Sequence, residues 1–165
     1  EEDTTMSYRI ERVTETTLRD VLPLIAEYQI FYECEVDEER NRRFFGELVA
    51  DDAHGVQLAA WKGDEAVGFT TLYWVRSSTL ATTVALMNDL YVLPDHRGGR
   101  DKGVGAELMR AAAAEAAERG CPSMNWETAP DNTSGQRLYD RFLSEAPAPG
   151  SRTQWVHYGY PLTAR

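Results

Sequence analysis

The sequence predicts an α/β fold in which helices cover a mixed β-sheet. An alternating strand pattern followed by a helical one opens the chain, and a β-hairpin pattern lies in its middle. A strand, a glycine-rich loop and an alanine-rich helix then follow one another. Strands and helices that alternate in this way form sheets covered by helices. The length of 165 residues predicts a single domain over residues 6–165, with residues 1–5 disordered or a processing remnant.

The first half of the chain is predicted to contain two helices among three strands. Residues 8–13 alternate as a strand, and residues 18–32 carry apolar side chains at helical spacing. A second helix over residues 37–50 begins with acidic side chains, which the positive end of a helix dipole favours. Strand patterns over residues 57–61 and 66–74 predict a hairpin.

The second half alternates strands and helices, and helix-forming alanines and chain-breaking glycine and proline mark the boundaries. The predicted elements are a strand over residues 84–93, a helix over residues 105–119, a strand from Ser123, a helix over residues 133–143 and a last strand over residues 155–160. Asn132 is expected to cap the helix that follows it.

The loop between residues 94 and 105 has the composition of an anion-binding site. Glycines let the backbone approach a ligand, and the first turn of the next helix offers free N–H groups at its positive end. Arg97, Arg100 and Lys102 lie in this loop, although the chain carries 27 acidic against 17 basic residues. This local reversal of charge favours a phosphorylated cofactor over nucleic acid. A solvated turn in which Asp101 caps the helix is the alternative interpretation.

Two better-known phosphate-binding loops fit the spacing poorly. A Walker A loop needs Lys and then Ser or Thr where Val104 and Gly105 stand, so a nucleoside triphosphatase is excluded. A dinucleotide-binding fingerprint would begin at Gly103 and use Glu127 as the acid that binds the ribose. Leu108 replaces its third glycine, which leaves this fingerprint as a minor alternative.

The loop Arg100-Asp-Lys-Gly103-Val-Gly105, preceded by Leu90-Tyr-Val-Leu-Pro94, resembles the GNAT superfamily of acyl-CoA-dependent N-acetyltransferases. The run from Trp126 to Asn132, followed by Tyr139, is similar to the next segment of the same family. The resemblance covers residues 86–143. It implies a mostly antiparallel mixed sheet of about six or seven strands flanked by helices, with acetyl-CoA as the co-substrate.

The resemblance also implies a role for individual residues. The backbone of Leu90, Tyr91 and Val92 would pair with the amides of pantetheine, and Tyr139 would protonate the departing CoA thiolate. The residues expected to bind the cofactor are Leu90, Tyr91, Val92, Arg97, Gly98, Gly99, Arg100, Lys102, Gly103, Val104, Gly105, Ala106, Asn132 and Tyr139. Gly99, Arg100 and Asp101 read as an insertion relative to the family, so the arginine that binds the pyrophosphate stays open.

Two polar residues interrupt the apolar strand before the loop. Asn88 and Asp89 are explained either by a β-bulge or by a place at the reaction centre. Asp89 is the first candidate for the base that removes a proton from the amine, with Glu127 or a relayed water as alternatives. Diamine and polyamine acetyltransferases carry a Glu-Asp pair here, so with Asn88 in the first place the similarity to that branch is weak.

The acceptor is expected to contact Tyr32, Glu33, Asn88 and Glu127. Acidic residues from position 33 to 39, beside aromatic ones, suit a cationic amine through charge and cation–π contact. Acidic residues before a helix also serve as ordinary partners of its dipole.

The expected function is transfer of an acetyl group from acetyl-CoA, by direct attack of a primary amine. The acceptor would be a small cationic metabolite such as a polyamine, an amino sugar antibiotic or an amino-acid-like compound. Acetylation of protein or peptide amines, or a non-catalytic acyl-CoA-binding regulatory module, are the alternatives.

Other classes of chemistry and partner find little support in the sequence. Cys34 and Cys121 lie far apart, neither in the setting of an activated nucleophile, and their number suits the cytoplasm. His54, His96 and His157 are scattered, so no metal is expected. Neither nucleic acid nor a membrane is an expected partner, and a homodimer is possible.

Overall fold

The computed structural model describes residues 8–98 and 103–163. The strands are β1 (Arg9–Arg12), β2 (Gly55–Lys62), β3 (Glu65–Ser77), β4 (Thr82–Val92) and β5 (Met124–Asn125). The helices are α1 (Leu18–Phe31), α2 (Glu38–Ala50), α3 (Val104–Glu118) and α4 (Thr133–Leu143), with a short 3-10 turn at Pro94–His96. The predicted α/β class is confirmed, and each predicted helix is present within one residue of its expected ends.

The strands form one mixed sheet in the order β1-β2-β3-β4-β5. The first four strands pair antiparallel with their neighbours. β4 and β5 run parallel and pair at Ala85 with Met124 and at Leu86 with Asn125. The mostly antiparallel character is as predicted, whereas the described residues contain five strands and not six or seven.

The predicted last strand, residues 155–160, is wrong. In the structure this segment is irregular, and its Trp155, Val156, Tyr158 and Tyr160 side chains are 77–88% exposed. Within the described residues, no backbone hydrogen bond joins the segment to the sheet. Its alternation and aromatic residues favour a strand, but such preferences reflect packing on a half-buried sheet surface, which this segment lacks.

Two apolar clusters hold helices against opposite faces of the sheet. α1 and α2 cover one face, where Val21 and Ile25 pack with Phe69. α3 covers the other face, where Leu108 packs with Leu72. All five side chains are at most 1% exposed. Both faces of the sheet are therefore shielded, and α4 packs beside α3 through partly buried side chains.

Side chains cap two of the helices that border the candidate site. At the start of α2, Oδ1 of Asp37 accepts a hydrogen bond from the Arg40 backbone N–H at 2.9 Å. Asn132 accepts one from the Gly135 N–H at 3.1 Å, which confirms the predicted N-cap of α4. In the described parts of the chain, no helix has the length and apolar character needed to cross a bilayer.

Candidate active site

A β-bulge in β4 brings Asp89 to the interior of the protein. Thr71 of β3 lies opposite Asp89, whereas the next residue, Leu72, lies opposite Met87. Asn88 is therefore the extra residue, and it is exposed while Asp89 is 8% exposed. The bulge interpretation of the Asn-Asp pair is confirmed, and bulges of this kind redirect side chains near functional sites.

The Asp89 carboxyl is buried and hydrogen-bonded. Its Oδ1 accepts a hydrogen bond from the backbone N–H of Thr71 at 2.7 Å. Burial raises the pKa of Asp89 to about 7, although hydrogen bonds from Thr71 and Asn88 oppose the shift. A carboxyl with this pKa is close to half ionised at neutral pH. It can therefore take up a proton and release it again under working conditions.

Asp89 borders a cavity of about 370 Å³ between the helices α1 and α2 and the strands β3 and β4. Its walls are mostly apolar and aromatic. The lining residues are Ile25, Tyr28, Gln29, Phe44, Phe45, Phe69, Tyr73, Asn88 and Asp89. Among these described residues, Asp89 is the only one with an ionisable carboxyl or a basic group. A cation that enters the cavity thus meets one carboxyl group and several aromatic faces.

Two phenols and an amide pair shape the cavity wall. Burial, together with the charge of Asp89, raises the pKa of Tyr73 to about 12 and raises that of Tyr28 further. Both phenols therefore keep their protons at neutral pH. The Gln29 and Asn41 side chains exchange two hydrogen bonds of 2.9 and 2.8 Å, which join α1 to α2. This pair fixes the two helices that form one side of the cavity.

Tyr139 approaches the same region from α4. Its ring contacts Trp126 with a centroid distance of 5.7 Å. Burial raises the pKa of Tyr139, and the nearby Tyr32 phenol adds to the shift. Tyr28 interacts electrostatically with both Tyr139 and Asp89. Tyr28, near the end of α1, is therefore close to both the predicted acid and the predicted base. The Tyr139 phenol is protonated at neutral pH.

The strands β4 and β5 separate next to these side chains. Within the described residues, β4 pairs with β5 at Ala85 and Leu86, and β4 then continues alone on that side to Val92. An extended ligand can pair with such a free strand edge. The Val92 carbonyl accepts a hydrogen bond from Nε of Arg97, whose guanidinium lies 5.1 Å from the centre of the Tyr91 ring. Arg97 thus holds the end of β4 in place.

The N-terminus of α3 has no side-chain cap among the described residues. Gly103 precedes it with φ of +110°, a left-handed conformation that favours glycine, and no described side chain caps the helix. The amides of Val104, Gly105 and Ala106 thus form the positive end of the helix. A Cβ on Gly105 would lie 3.0 Å from the Leu138 side chain, so this glycine lets α3 and α4 approach each other closely.

Several predicted site residues are placed away from the cavity or are not described. Gly99, Arg100 and Lys102 lie outside the described residues, as does Asp101. Tyr32, Glu33 and Glu127 are exposed and are not among the lining residues. Both polar atoms of the Asn132 side-chain amide form hydrogen bonds within the chain. Its Nδ2 donates to Thr128 at 2.8 Å, and its oxygen caps α4. The roles predicted for these residues stay predictions.

The sequence analysis missed the aromatic part of the cavity. Phe69 and Tyr73 lie in β3, and Tyr28 follows Ile25 on the buried side of α1. The helical spacing of Tyr28 after Val21 and Ile25 was the available signal for its inward position. Tyr73 lies four residues after Phe69 in β3, so the alternation of side chains along the strand was the available signal that both share one face.

Cysteine and metal chemistry gain no support from the geometry. Cys34 is exposed, and burial raises the pKa of Cys121, which makes its thiolate less available. Among residues 8–98 and 103–163, no three His, Cys, Asp or Glu side chains are grouped to hold a metal ion.

Several known acetyltransferases are similar to this chain in sequence or in fold. Residues 21–143 match the acetyltransferase (GNAT) family. YhfO, an uncharacterised N-acetyltransferase of Bacillus subtilis (strain 168), is 29% identical over 145 residues, which cover 88% of this chain and 91% of that protein. The thialysine N-epsilon-acetyltransferase of Mus musculus is 28% identical over 150 residues, 83% of each chain. The aminoglycoside N-acetyltransferase AAC(6')-Iy, solved with CoA, has the same fold, with a TM-score of 0.77 at 19% identity over 94% of this chain and 95% of that one.

Proposed function

We propose that this chain, which belongs to the GNAT family of acetyltransferases and is an acyltransferase, transfers an acetyl group from acetyl-CoA to the primary amine of a small cationic metabolite. The observation that carries the proposal is the cavity in which buried Asp89 is surrounded by aromatic side chains. The same strand, β4, supplies Asp89 and the free edge beside α3. An amine and a thioester can therefore be held on either side of one strand.

Acetyl-CoA would be held by β4 and the start of α3. The free edge of β4 offers backbone groups for the pantetheine amides from Leu90 to Val92. The amides of α3 from Val104 to Ala106, which no described side chain caps, are suited to the pyrophosphate, as N–H groups at a helix N-terminus are in general. Arg97, together with the glycines on either side of α3's start, would complete this cradle. The bound thioester supplies an electrophilic carbonyl carbon.

Asp89 acts as the base in this proposal. An amine that arrives as ammonium must lose a proton before its nitrogen can attack the carbonyl carbon. The Asp89 carboxylate accepts that proton, directly or through a water molecule, because its pKa of about 7 matches the working pH. The new C–N bond forms as the tetrahedral intermediate appears, and no covalent bond to the protein is made.

Tyr139 acts as the acid when the intermediate collapses. The C–S bond breaks, and the phenol donates its proton to the departing thiolate of CoA. A thiol has an ordinary pKa near 8.5, so it is a tolerable leaving group and the task is modest. The raised pKa of Tyr139 keeps the proton in place until the sulfur develops charge.

The acceptor is an amine small enough to enter the cavity. A volume of about 370 Å³ lies at the lower end of the roughly 300–1,000 Å³ typical of small-molecule pockets. One carboxyl group among aromatic walls fits one ammonium group and an organic chain. The mouse relative is named for acetylating thialysine, an amino-acid-like amine. We place the reaction in the cytoplasm, because both cysteines are unpaired.

A panel of amines tests the proposal. The purified chain is incubated with acetyl-CoA and polyamines, amino sugars, amino acids or peptides, and the release of free CoA thiol is followed. Turnover with a small amine is the expected result. Turnover with peptides alone would replace the proposal by protein acetylation. Binding of acetyl-CoA without turnover on any amine would indicate a regulatory module.

A further inference from the structure

We infer that Gln57 is a positioning residue for Asp89 and acts through the hydroxyl group of Thr71. The three residues lie in one row across the sheet, from β2 through β3 to β4. Gln57 is the Cα partner of Thr71, and Thr71 is the Cα partner of Asp89. This role rests on the proposed function, in which the ionised Asp89 carboxyl is the base.

The row lies on the sheet face that α1 and α2 cover. Phe69 and Tyr73, two residues before and after Thr71, line the cavity together with Asp89. Side chains alternate along a strand, so Thr71 lies on the same face. Gln57 is 1% exposed and Thr71 is fully buried, and neither is among the residues that line the cavity. An effect of Gln57 on the base therefore passes through Thr71 and not through an amine in the cavity.

The hydrogen bonds along the row have one direction. Nε2 of Gln57 donates to the Thr71 hydroxyl oxygen at 3.1 Å. Because an amide nitrogen only donates, it occupies a lone pair of the hydroxyl and leaves the hydroxyl proton for another acceptor. The ionised Asp89 carboxyl only accepts, so it is the complementary partner for that proton. The backbone N–H of Thr71 donates to Oδ1 of Asp89 at 2.7 Å, which keeps the carboxyl beside Thr71.

The Thr71 hydroxyl favours the ionised form of Asp89. Its hydrogen bond lowers the pKa of the carboxyl and opposes the effect of burial. The titratable groups that face this carboxyl are the phenols of Tyr28 on α1 and Tyr73 on β3, both neutral at neutral pH. Among the described cavity residues, α2 contributes phenylalanines. Uncharged hydrogen-bond donors therefore hold the negative charge, and the direction of the Thr71 hydroxyl matters for it.

The oxygen of the Gln57 amide supports this orientation of the side chain. Oε1 is buried and accepts no hydrogen bond from the described residues. A buried polar atom without a partner lowers stability, and few such atoms occur in proteins. With the amide turned round, Oε1 would accept the Thr71 proton and withdraw it from Asp89. The side chain instead keeps its donor toward Thr71, as stabilisation of the carboxylate requires.

The pH midpoint of the Asp89 carboxyl carbon, followed by NMR in the chain without substrate, tests this role. Gln57→Met and Gln57→Leu remove the donor together with the unpartnered oxygen, so the fold is expected to persist in both. The midpoint is expected to rise by about half a pH unit in these two variants. Thr71→Val removes the hydroxyl itself and is expected to raise the midpoint by about one pH unit or more.

Two further threonine variants are the controls. Thr71→Ser keeps a hydroxyl group and is expected to keep the midpoint of the parent. The neighbouring Thr70 donates its hydroxyl proton to the backbone carbonyl of Asp89 at 2.6 Å. Thr70→Val is therefore expected to lower stability and to leave the midpoint of the carboxyl unchanged. A merely structural role would give the Gln57 variants this same result.

The direction of the change decides between the two orientations of the amide. An unchanged midpoint in both Gln57 variants would overturn the inference. A fall of the midpoint would also overturn it, because Gln57 would then be the acceptor of the Thr71 proton.

The acidic limb of kcat/KM for an acetylated amine gives a second readout. A rise of half a pH unit is expected to lower kcat/KM of the Gln57 variants by about threefold at pH 6, and the loss is expected to disappear toward pH 9. An equal loss at both pH values would contradict a role in the ionisation of Asp89. If no amine is acetylated, the proposed function fails, whereas the NMR midpoints still decide whether Gln57 acts on Asp89.

Discussion

The cavity around Asp89 and the acidic segment over residues 33–39 contain the same chemical group in opposite surroundings. The Asp89 carboxyl is buried and its pKa is raised to about 7. The acidic side chains of the segment are exposed, and one of them, Asp37, caps α2. Sequence alone attracts attention to the segment, because five acids lie close together there. The difference teaches that burial, and not the number of carboxyl groups, decides which of them can exchange a proton near neutral pH.

Removal of the Asp89 carboxylate is expected to produce the largest effect. Asp89→Asn keeps an oxygen for the Thr71 N–H but removes the base, so kcat/KM for the amine is expected to fall by about 10²- to 10⁴-fold. The rate of CoA thiol release at subsaturating amine concentration measures this kcat/KM.

Glu33→Gln is the matched control in the acidic segment. We expect kcat/KM for the amine to fall by less than about threefold, because an exposed carboxylate is screened by water and salt. Equal losses of kcat/KM in Asp89→Asn and Glu33→Gln would contradict the comparison. The base, or the charge that binds the amine, would then lie in the acidic segment.

Tyr139→Phe tests the half-buried phenol of the site. The substitution keeps the ring against Trp126 and removes the proton donor, so kcat is expected to fall by about tenfold or more. The Kd of acetyl-CoA, measured by calorimetry, is expected to stay nearly constant. Tyr32→Phe, in an exposed phenol nearby, serves as the control. If Tyr139→Phe kept the kcat of the parent, Tyr139 would not be the acid.

The pH dependence of stability provides a test that does not depend on activity. The pKa of Asp89 rises from an ordinary 3.8 to about 7 on folding. Between these values the folded state holds a proton that the unfolded state has released, so this group lowers stability as the pH rises from 4 to 7. The effect of Asp89→Asn on the free energy of unfolding is therefore expected to be more favourable at pH 8 than at pH 4, by about 2–4 kcal/mol.

Urea unfolding of the parent and Asp89→Asn at both pH values measures that difference. Glu127→Gln, which changes an exposed carboxyl outside the cavity, is the matched control. If Asp89→Asn changed the free energy of unfolding equally at pH 4 and pH 8, the pKa of Asp89 would not be raised by burial.

The smallest expected effect concerns Asp37. Asp37→Ala removes the hydrogen bond to the Arg40 N–H and is expected to cost about 1 kcal/mol of unfolding free energy. Asp37→Asn keeps an acceptor and is expected to cost less. In both variants kcat/KM is expected to stay close to the parent value. A large fall in activity with unchanged stability would give this acidic residue a direct part in binding the acceptor.

The candidate site was predictable where chemistry is local in the chain. Asp89 was identified because it interrupts an apolar strand, and Asn132 because it precedes a helix at the N-cap position. The aromatic lining could not be predicted as one cavity, although helical spacing indicated the inward position of Tyr28. Phe69 and Tyr28 come from separate elements, and their approach depends on how α1 packs on the sheet. The residues expected around the acceptor, such as Glu127, were chosen without that packing.

The sequence by itself determined the helices, the N-cap at Asn132 and the strands of the central sheet. Apolar spacing and capping side chains act over a few residues, so they are visible in one chain segment. Tertiary structure decided the position of Asp89 beside an aromatic cavity and the irregular course of residues 155–160. A pKa depends on burial among distant residues, and a strand depends on a partner for its backbone. Both are properties of contacts between segments that no local pattern records.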